Sequence, residues 1–170
     1  RFKLHYRARV AVTRPDVALH ALPATHFHDL PGPVLRYLRP SRFCQSDLFT
    51  DFVAEAFGHL TGGAKIAAMR DWIAAEIAYV SGSSNPATTA TDTFGAREGV
   101  CRDYAHLMCS LARASNIPAR YTSVYGAEVD PPDFHAVAQV WLDGGWHLVD
   151  ATGMGTPARL AVIASGRDAV

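Results

Sequence analysis

The chain has 170 residues, of which 49% are hydrophobic and 19% charged, the size and composition of one soluble globular domain. Sixteen basic and sixteen acidic side chains cancel, and no basic block points to nucleic acid or an anionic membrane. The apolar runs are too short to span a bilayer, and three cysteines without a CxxC pair argue against a disulfide framework.

Residues 2–12 alternate apolar and basic side chains, with Phe2, Leu4, Tyr6, Ala8, Val10 and Val12 on one face, the pattern of a half-buried strand. Residues 13–46 hold five prolines and read as an extended segment with a short helical piece at 34–38. Ser46 is placed to cap a helix starting at Asp47, in which Leu48, Phe49, Phe52, Val53, Ala56, Phe57 and Leu60 recur at helical spacing until Thr61-Gly62-Gly63. A second helix is expected over about 64–80, with Ile66, Met69, Ile73, Ile77 and Val80 on one stripe. The small polar residues of 81–93 read as a mobile loop leading to Cys101.

A third helix is expected over 101–115, its stripe formed by Ala105, Met108, Leu111 and Ala112, ended by Asn116 before Ile117-Pro118. Residues 119–125 are strand-like, 126–132 a loop, and 135–142 and 146–149 two strands joined across Asp143-Gly144-Gly145. The last fifteen residues carry little pattern. Helices first and an antiparallel sheet later give an α+β class.

Three groups in this order carry chemistry: Cys101, His135 and Asp150. A thiol at the first turn of a helix meets unpaired N–H groups and the positive end of the macrodipole, which favour the thiolate. A histidine would serve as its base and a carboxylate would orient the ring. Gly99 would let the backbone turn and a substrate approach, and the Cys101 N–H would lie near a developing oxyanion. If Trp141 faces Trp146 across a four-residue loop, Asp150 lies opposite Val137 with His135 as its diagonal neighbour. That is about 7 to 8 Å at the backbone and within side-chain reach. A three-residue loop would put the two on opposite faces unless a bulge intervened, so a triad requires an even loop or a bulge. The same face would carry Gln139 and Trp141. His106, five residues after Cys101, sits about 140° around the helix and 7.5 Å along it, a poor place for a base.

The other chemical side chains have plainer readings. Cys109 is a small core residue. Asp103 serves the helix dipole and points away from Cys101. Tyr104 is core or rim. Trp72 and Tyr79 could contribute to an oxyanion site, with packing the favoured role for both. His26 and His28 are surface side chains rather than metal ligands, and a Cys/His zinc site from Cys44, Cys101, Cys109 and His135 lacks metal-type spacing. Trp141 and Trp146 are cross-strand packing partners.

Four separated motifs occur in order: Gly99-Val100-Cys101-Arg102-Asp103-Tyr104-Ala105-His106-Leu107, then Asn116-Ile117-Pro118-Ala119-Arg120-Tyr121, then Phe134-His135-Ala136, then Gly145-Trp146-His147-Leu148-Val149-Asp150-Ala151-Thr152. Together with Tyr37-Leu38-Arg39-Pro40-Ser41-Arg42 upstream, they resemble the transglutaminase-like superfamily over about residues 30–155, and more narrowly its bacterial members provisionally designated cysteine proteases. The resemblance implies a papain-related core, with helices packed on an antiparallel sheet. It assigns Cys101 as nucleophile, His135 as base and Asp150 as orienter, with no cofactor and no metal. Ala151 stands where the family usually has proline. Such members often carry a preceding β-rich domain. Residues 1–29 are therefore expected to be a strand and linker, a remnant of that domain in the C-terminal portion of a longer protein, and 30–170 the catalytic domain.

The function expected is thiol-dependent acyl transfer or hydrolysis at a peptide or amide substrate through a thioester, with hydrolysis favoured and the cytoplasm as location. The alternative is a non-catalytic binding module of the same fold, presenting residues 81–93 to a partner.

Overall fold

The computed structural model describes residues 2, 3, 5, 7–130 and 133–169. Its elements in chain order are α1 (Gly32–Leu35), α2 (Thr50–Phe57), α3 (Gly62–Glu76), β1 (Ala78–Tyr79), α4 (Ala90–Ala96), β2 (Glu98–Gly99), α5 (Cys101–Ala114), β3 (Ala119–Gly126), β4 (His135–Leu142), β5 (Gly145–Val149) and β6 (Leu160–Gly166), with short 3-10 turns between some of them. The last four strands form one antiparallel sheet in the order β5-β4-β3-β6, and β1 and β2 make a two-residue parallel pair. The α+β class read from the sequence is the class observed.

Helix α5 is the axis of the molecule. Every residue from Asp103 to Arg113 is buried. Ala138, Val140 and Leu142 of β4 cover it on one side, and Val53 and Phe57 of α2 with Ile66, Met69 and Ile73 of α3 on the other. The single apolar stripe expected for it is thus too narrow, because a helix enclosed all round must also bury its polar residues. Most of their polar atoms find partners, although His106 Nδ1 has none among the described residues. Ser110 donates to the His106 carbonyl at 2.8 Å, and Arg113 donates to the carbonyls of Ala119 at 2.9 Å and Arg39 at 3.3 Å. The helix stops where the sequence places its end. Asn116 takes a left-handed φ of 59°, and the amides of Asn116 and Ile117 return to the carbonyls of Arg113 and Ala112 at 2.9 and 3.0 Å. That pair of bonds is a Schellman closure.

The hairpin turn is Asp143-Gly144, with φ of 48° and 73°, and Leu142 pairs with Gly145 and Trp141 with Trp146. Two positive φ values in a two-residue loop match the right-handed twist of the strands. The connection is therefore even, as a triad requires, and Gly145 belongs to β5 rather than to the loop.

Several expectations are corrected. Ser46 is not a helix cap: it is buried inside a 3-10 turn (Ser46–Phe49) and makes no capping bond, and the α-helix proper starts at Thr50. The second helix ends at Glu76 rather than near Val80, because the chain becomes extended at Ile77 to form β1. The tract 81–93 is not wholly a loop; its end enters α4, whose first turn is closed by Thr89 and Asp92 in a reciprocal capping box. The weakly patterned tail contains β6, paired to β3. Among the described residues of 2–12 there is no strand, and nearly all are exposed; Leu4 and Tyr6 of that alternation lie outside the described residues. Alternation alone does not make a strand without a neighbour to take its backbone hydrogen bonds. From Arg14 onward the chain is fastened to the domain. Arg14 donates to the carbonyls of Pro157 and Leu160 at 2.8 and 2.9 Å, and the Leu22 and Pro23 carbonyls accept from Gly63 and Asp143 at 2.8 and 3.2 Å.

Candidate active site

Cys101 is the first residue of α5, and its side chain is half-buried. What holds it there is mostly Asp103. One carboxylate oxygen accepts from the Val100 N–H at 2.9 Å and the other from the Ser84 hydroxyl at 2.9 Å. Arg102 donates to the same Ser84 oxygen at 2.6 Å and to the Asn85 carbonyl at 2.5 Å. The tract after Ser81, read from the sequence as mobile, is thus tied to the helix tip. Asp103 serves the helix start, as expected. Gly99 has a different role from the one expected. Its φ is not left-handed, but a Cβ there would meet the Asp103 Cβ at 2.9 Å and the Thr93 methyl at 3.2 Å. The position needs glycine so that the capping carboxylate can close over the backbone.

His135 is the first residue of β4, and Asp150 follows the last residue of β5, so antiparallel pairing brings both to the same end of the sheet. Ala138 pairs with Val149, which continues to place Asp150 beside Val137. The His135 Nε2 and Asp150 Oδ2 are 2.8 Å apart, and both side chains are almost wholly buried. With Nε2 engaged, Nδ1 is the nitrogen left for the thiol, and Cys101 is near enough to the His135 ring to raise its pKa. Burial opposes charge on the imidazole. Bonding to Asp150 and Cys101, and their negative charge, outweighs it and raises the pKa to about 9. Burial likewise disfavours the Asp150 carboxylate, but the bonds from His135 and Thr152 prevail and hold its pKa below the ordinary value. The three residues proposed from the sequence are therefore brought together.

Tyr79 is the side chain whose role the sequence reading misjudged. It does not pack in the core: it is exposed at the end of β1, its ring 5.9 Å from that of Tyr104, and it lies near enough to Cys101 for the two to affect each other's charge. Its pKa is raised by burial and by charge at Cys101. The signal in the sequence was only an aromatic at the end of a helical stripe. The parallel pairing Tyr79–Gly99, which sets it two residues from Cys101 in space, was not visible. Trp72, the other aromatic considered, does pack: it lies 5.0 Å from Phe52 and 5.6 Å from Phe94, with the Arg97 guanidinium over its face at 4.9 Å.

The remaining candidates fall outside the cluster. Tyr104 is buried and donates to the Ile77 carbonyl. His106 is buried between Phe43 and Tyr121, 5.2 and 5.1 Å ring to ring, and its Nε2 accepts from the Ala169 amide. Burial drives its pKa down to about 4. Cys44 and Cys109 are fully buried. His26 and His28 sit in and beside a 3-10 turn (Phe27–Asp29), and among the described residues no three His, Cys, Asp or Glu side chains converge as a metal cage requires. Trp141 and Trp146 meet edge to face at 5.3 Å, a cross-strand pair, and Gln139 accepts from Arg120 at 2.8 Å and Thr122 at 3.2 Å. A cavity of about 870 Å³, lined in part by Asp150, lies between residues 14–22, α3 and β5; neither Cys101 nor His135 lines it.

The architecture is shared with solved proteins. A Cytophaga hutchinsonii protein provisionally designated a cysteine protease is 43% identical, with a TM-score of 0.84 over 87% of this chain and 52% of its own. The periplasmic domain of TgpA from Pseudomonas aeruginosa, solved with ethylmercury bound, is 28% identical, with a TM-score of 0.57 over 74% of this chain and 50% of that one. Among curated sequences, an uncharacterized Mycobacterium leprae protein is 29% identical over 122 residues, 66% of this chain and 43% of the relative. The chain thus spans about half the length of the relatives it matches. Residues 51–151 match the family model of the transglutaminase-like superfamily, and the chain belongs to that superfamily.

Proposed function

We propose that the protein cleaves peptide or amide bonds through a thioester on Cys101, with His135 as acid and base and Asp150 as the group that orients the ring. The observation that carries this reading is the bond of 2.8 Å between His135 Nε2 and Asp150 Oδ2, with the rest of the imidazole turned to a thiol at a helix N-terminus. The Cys101 sulfur attacks the carbonyl carbon, and the oxyanion forms within reach of the Cys101 N–H and the Tyr79 hydroxyl. The carbon–nitrogen bond then breaks as His135 hands its proton to the leaving amine. Water, deprotonated by His135, attacks the thioester and frees the acid and the thiol. Water is the acceptor we favour over an amine because it requires no site beyond the imidazole that activates it.

Only the acyl half of this chemistry is fixed by the three side chains, so the substrate is stated as a class. As to location, no helix among the described residues is long and apolar enough to cross a membrane, and the related TgpA domain is periplasmic. An extracytoplasmic location therefore stands beside the cytoplasmic one.

The test is a Cys101→Ala variant assayed against a peptide and amide library, with intact-mass detection of an acyl adduct on the parent. Loss of turnover and an adduct mapped to Cys101 are expected. Turnover unchanged in the variant would remove the mechanism. Slow, equal alkylation of Cys44, Cys101 and Cys109 by iodoacetamide at mildly acidic pH would favour a binding module instead.

A further inference from the structure

Asp150 has four hydrogen-bond donors around it, and only one of them is His135. Its Oδ1 accepts from the Thr152 N–H at 2.9 Å and from the Thr152 hydroxyl at 2.6 Å. Its Oδ2 accepts from His135 at 2.8 Å and from the Gly155 N–H at 3.0 Å. The Thr152 hydroxyl is itself oriented, because its oxygen accepts from the Met154 N–H at 3.1 Å. A hydroxyl has one proton, and with its lone pair engaged by Met154 that proton is directed at Asp150. The carboxylate is buried, and its rotamer is fixed from both oxygens. The turn after β5 is therefore built around the anion rather than merely following it.

We infer that Thr152 is a positioning residue: its hydroxyl keeps Asp150 ionised and holds Oδ1 in place, so that Oδ2 stays turned to His135. This rests on the triad reading, since an oriented Oδ2 matters only if His135 does chemistry. Among the described residues the Thr152 hydroxyl bonds to Asp150 and to the Met154 N–H, so it acts through Asp150. A donor to a carboxylate stabilises the charged form, and its removal raises the pKa of that carboxyl. A residue that merely fills space would leave that titration unmoved.

The experiment uses the whole chain, with Thr152→Val, which keeps the shape and removes the hydroxyl, and Thr152→Ser, which keeps the hydroxyl and removes the methyl. The Asp150 carboxyl is followed by ¹³C NMR in labelled protein, and amide turnover is measured in parallel. In the valine variant the Asp150 midpoint is expected to rise by about one unit. Its kcat is expected to fall about tenfold with KM unchanged, and serine is expected to restore both. An Asp150 midpoint in Thr152→Val equal to that of the parent would overturn the inference, as would failure of serine to restore it. The two readings fail differently. A parent with no turnover sinks the triad proposal, while the midpoints still report whether the hydroxyl holds the anion.

Discussion

At the scale of single residues, the proposed chemistry depends on an imidazole that stays protonated well above its ordinary range. His135 is held near a pKa of about 9 against its own burial, and Asp150 is the first of the groups that hold it there. Asp150→Asn keeps the size of the side chain and removes the charge, so the His135 pKa falls back toward the model-compound range near 6.5. Because the imidazolium supplies the proton to the leaving amine, the alkaline limb of kcat/KM is expected near pH 9 in the parent and lower in the variant. Activity at pH 8 is expected to drop about 30-fold. A limb that stays near 9 in Asp150→Asn would mean that the carboxylate does not support the ring. Tyr79→Phe separates a different contribution. Loss of one oxyanion donor is expected to lower kcat about 100-fold with little effect on KM. The rate at which iodoacetamide alkylates Cys101 is expected to stay the same, because that displacement develops no oxyanion. Equal losses in both rates would show that the hydroxyl acts on the sulfur instead.

At the scale of elements, the site is set by the tip of α5 and the register of the β4–β5 hairpin. The helix tip and the hairpin were legible from the sequence, because each has a local signature: a glycine-preceded cysteine opening a periodic run, and an Asp-Gly-Gly turn between apolar alternations. The register was not, since the sequence left an even loop and an odd loop with a bulge both open. The elements that escaped lack a local signature. β6 is mostly exposed and owes its strand to pairing with β3, a contact between distant parts of the chain. The seven residues of α4 are too few to show a period, although Thr89 and Asp92 spell its capping box. Tyr79 escaped for the same reason as β6, since the two-residue pairing of β1 with β2 is tertiary. The register makes its own prediction. Inserting one glycine between Asp143 and Gly144 makes the loop odd, and a slip of one residue moves every later β5 side chain to the opposite face. Asp150 would then turn from the His135 side, and turnover is expected to vanish. Inserting two glycines restores the parity and is expected to recover measurable activity. Equal activity in the two insertions would show that the register of the hairpin does not set the site.

At the scale of the whole molecule, two buried histidines bend the stability curve in opposite directions. His106, enclosed by Phe43 and Tyr121, is held neutral by burial, with its pKa lowered to about 4. A lowered folded pKa gives stability that is present above the unfolded value near 6.5 and is lost as pH falls toward 4. His135 has a raised pKa of about 9, so its contribution is complete below 6.5 and is lost as pH rises toward 9. Asp150, with a lowered pKa, adds a loss only below the ordinary carboxylate range, and Asp92 and Glu128, also lowered, act there too. The shifts of the two histidines correspond to roughly 3 kcal/mol each. The unfolding midpoint in urea is therefore expected to be highest near pH 6.5 and to decline on both sides. His106→Gln is expected to flatten the acid side between pH 6.5 and 4 while leaving the alkaline decline, and His135→Gln is expected to do the reverse. The comparison rests on slopes, so the constant cost of either substitution does not affect it. An acid slope unchanged in His106→Gln would mean that the core accepts a charged ring there. His135 would then be the only one of the two that the fold holds away from its ordinary titration.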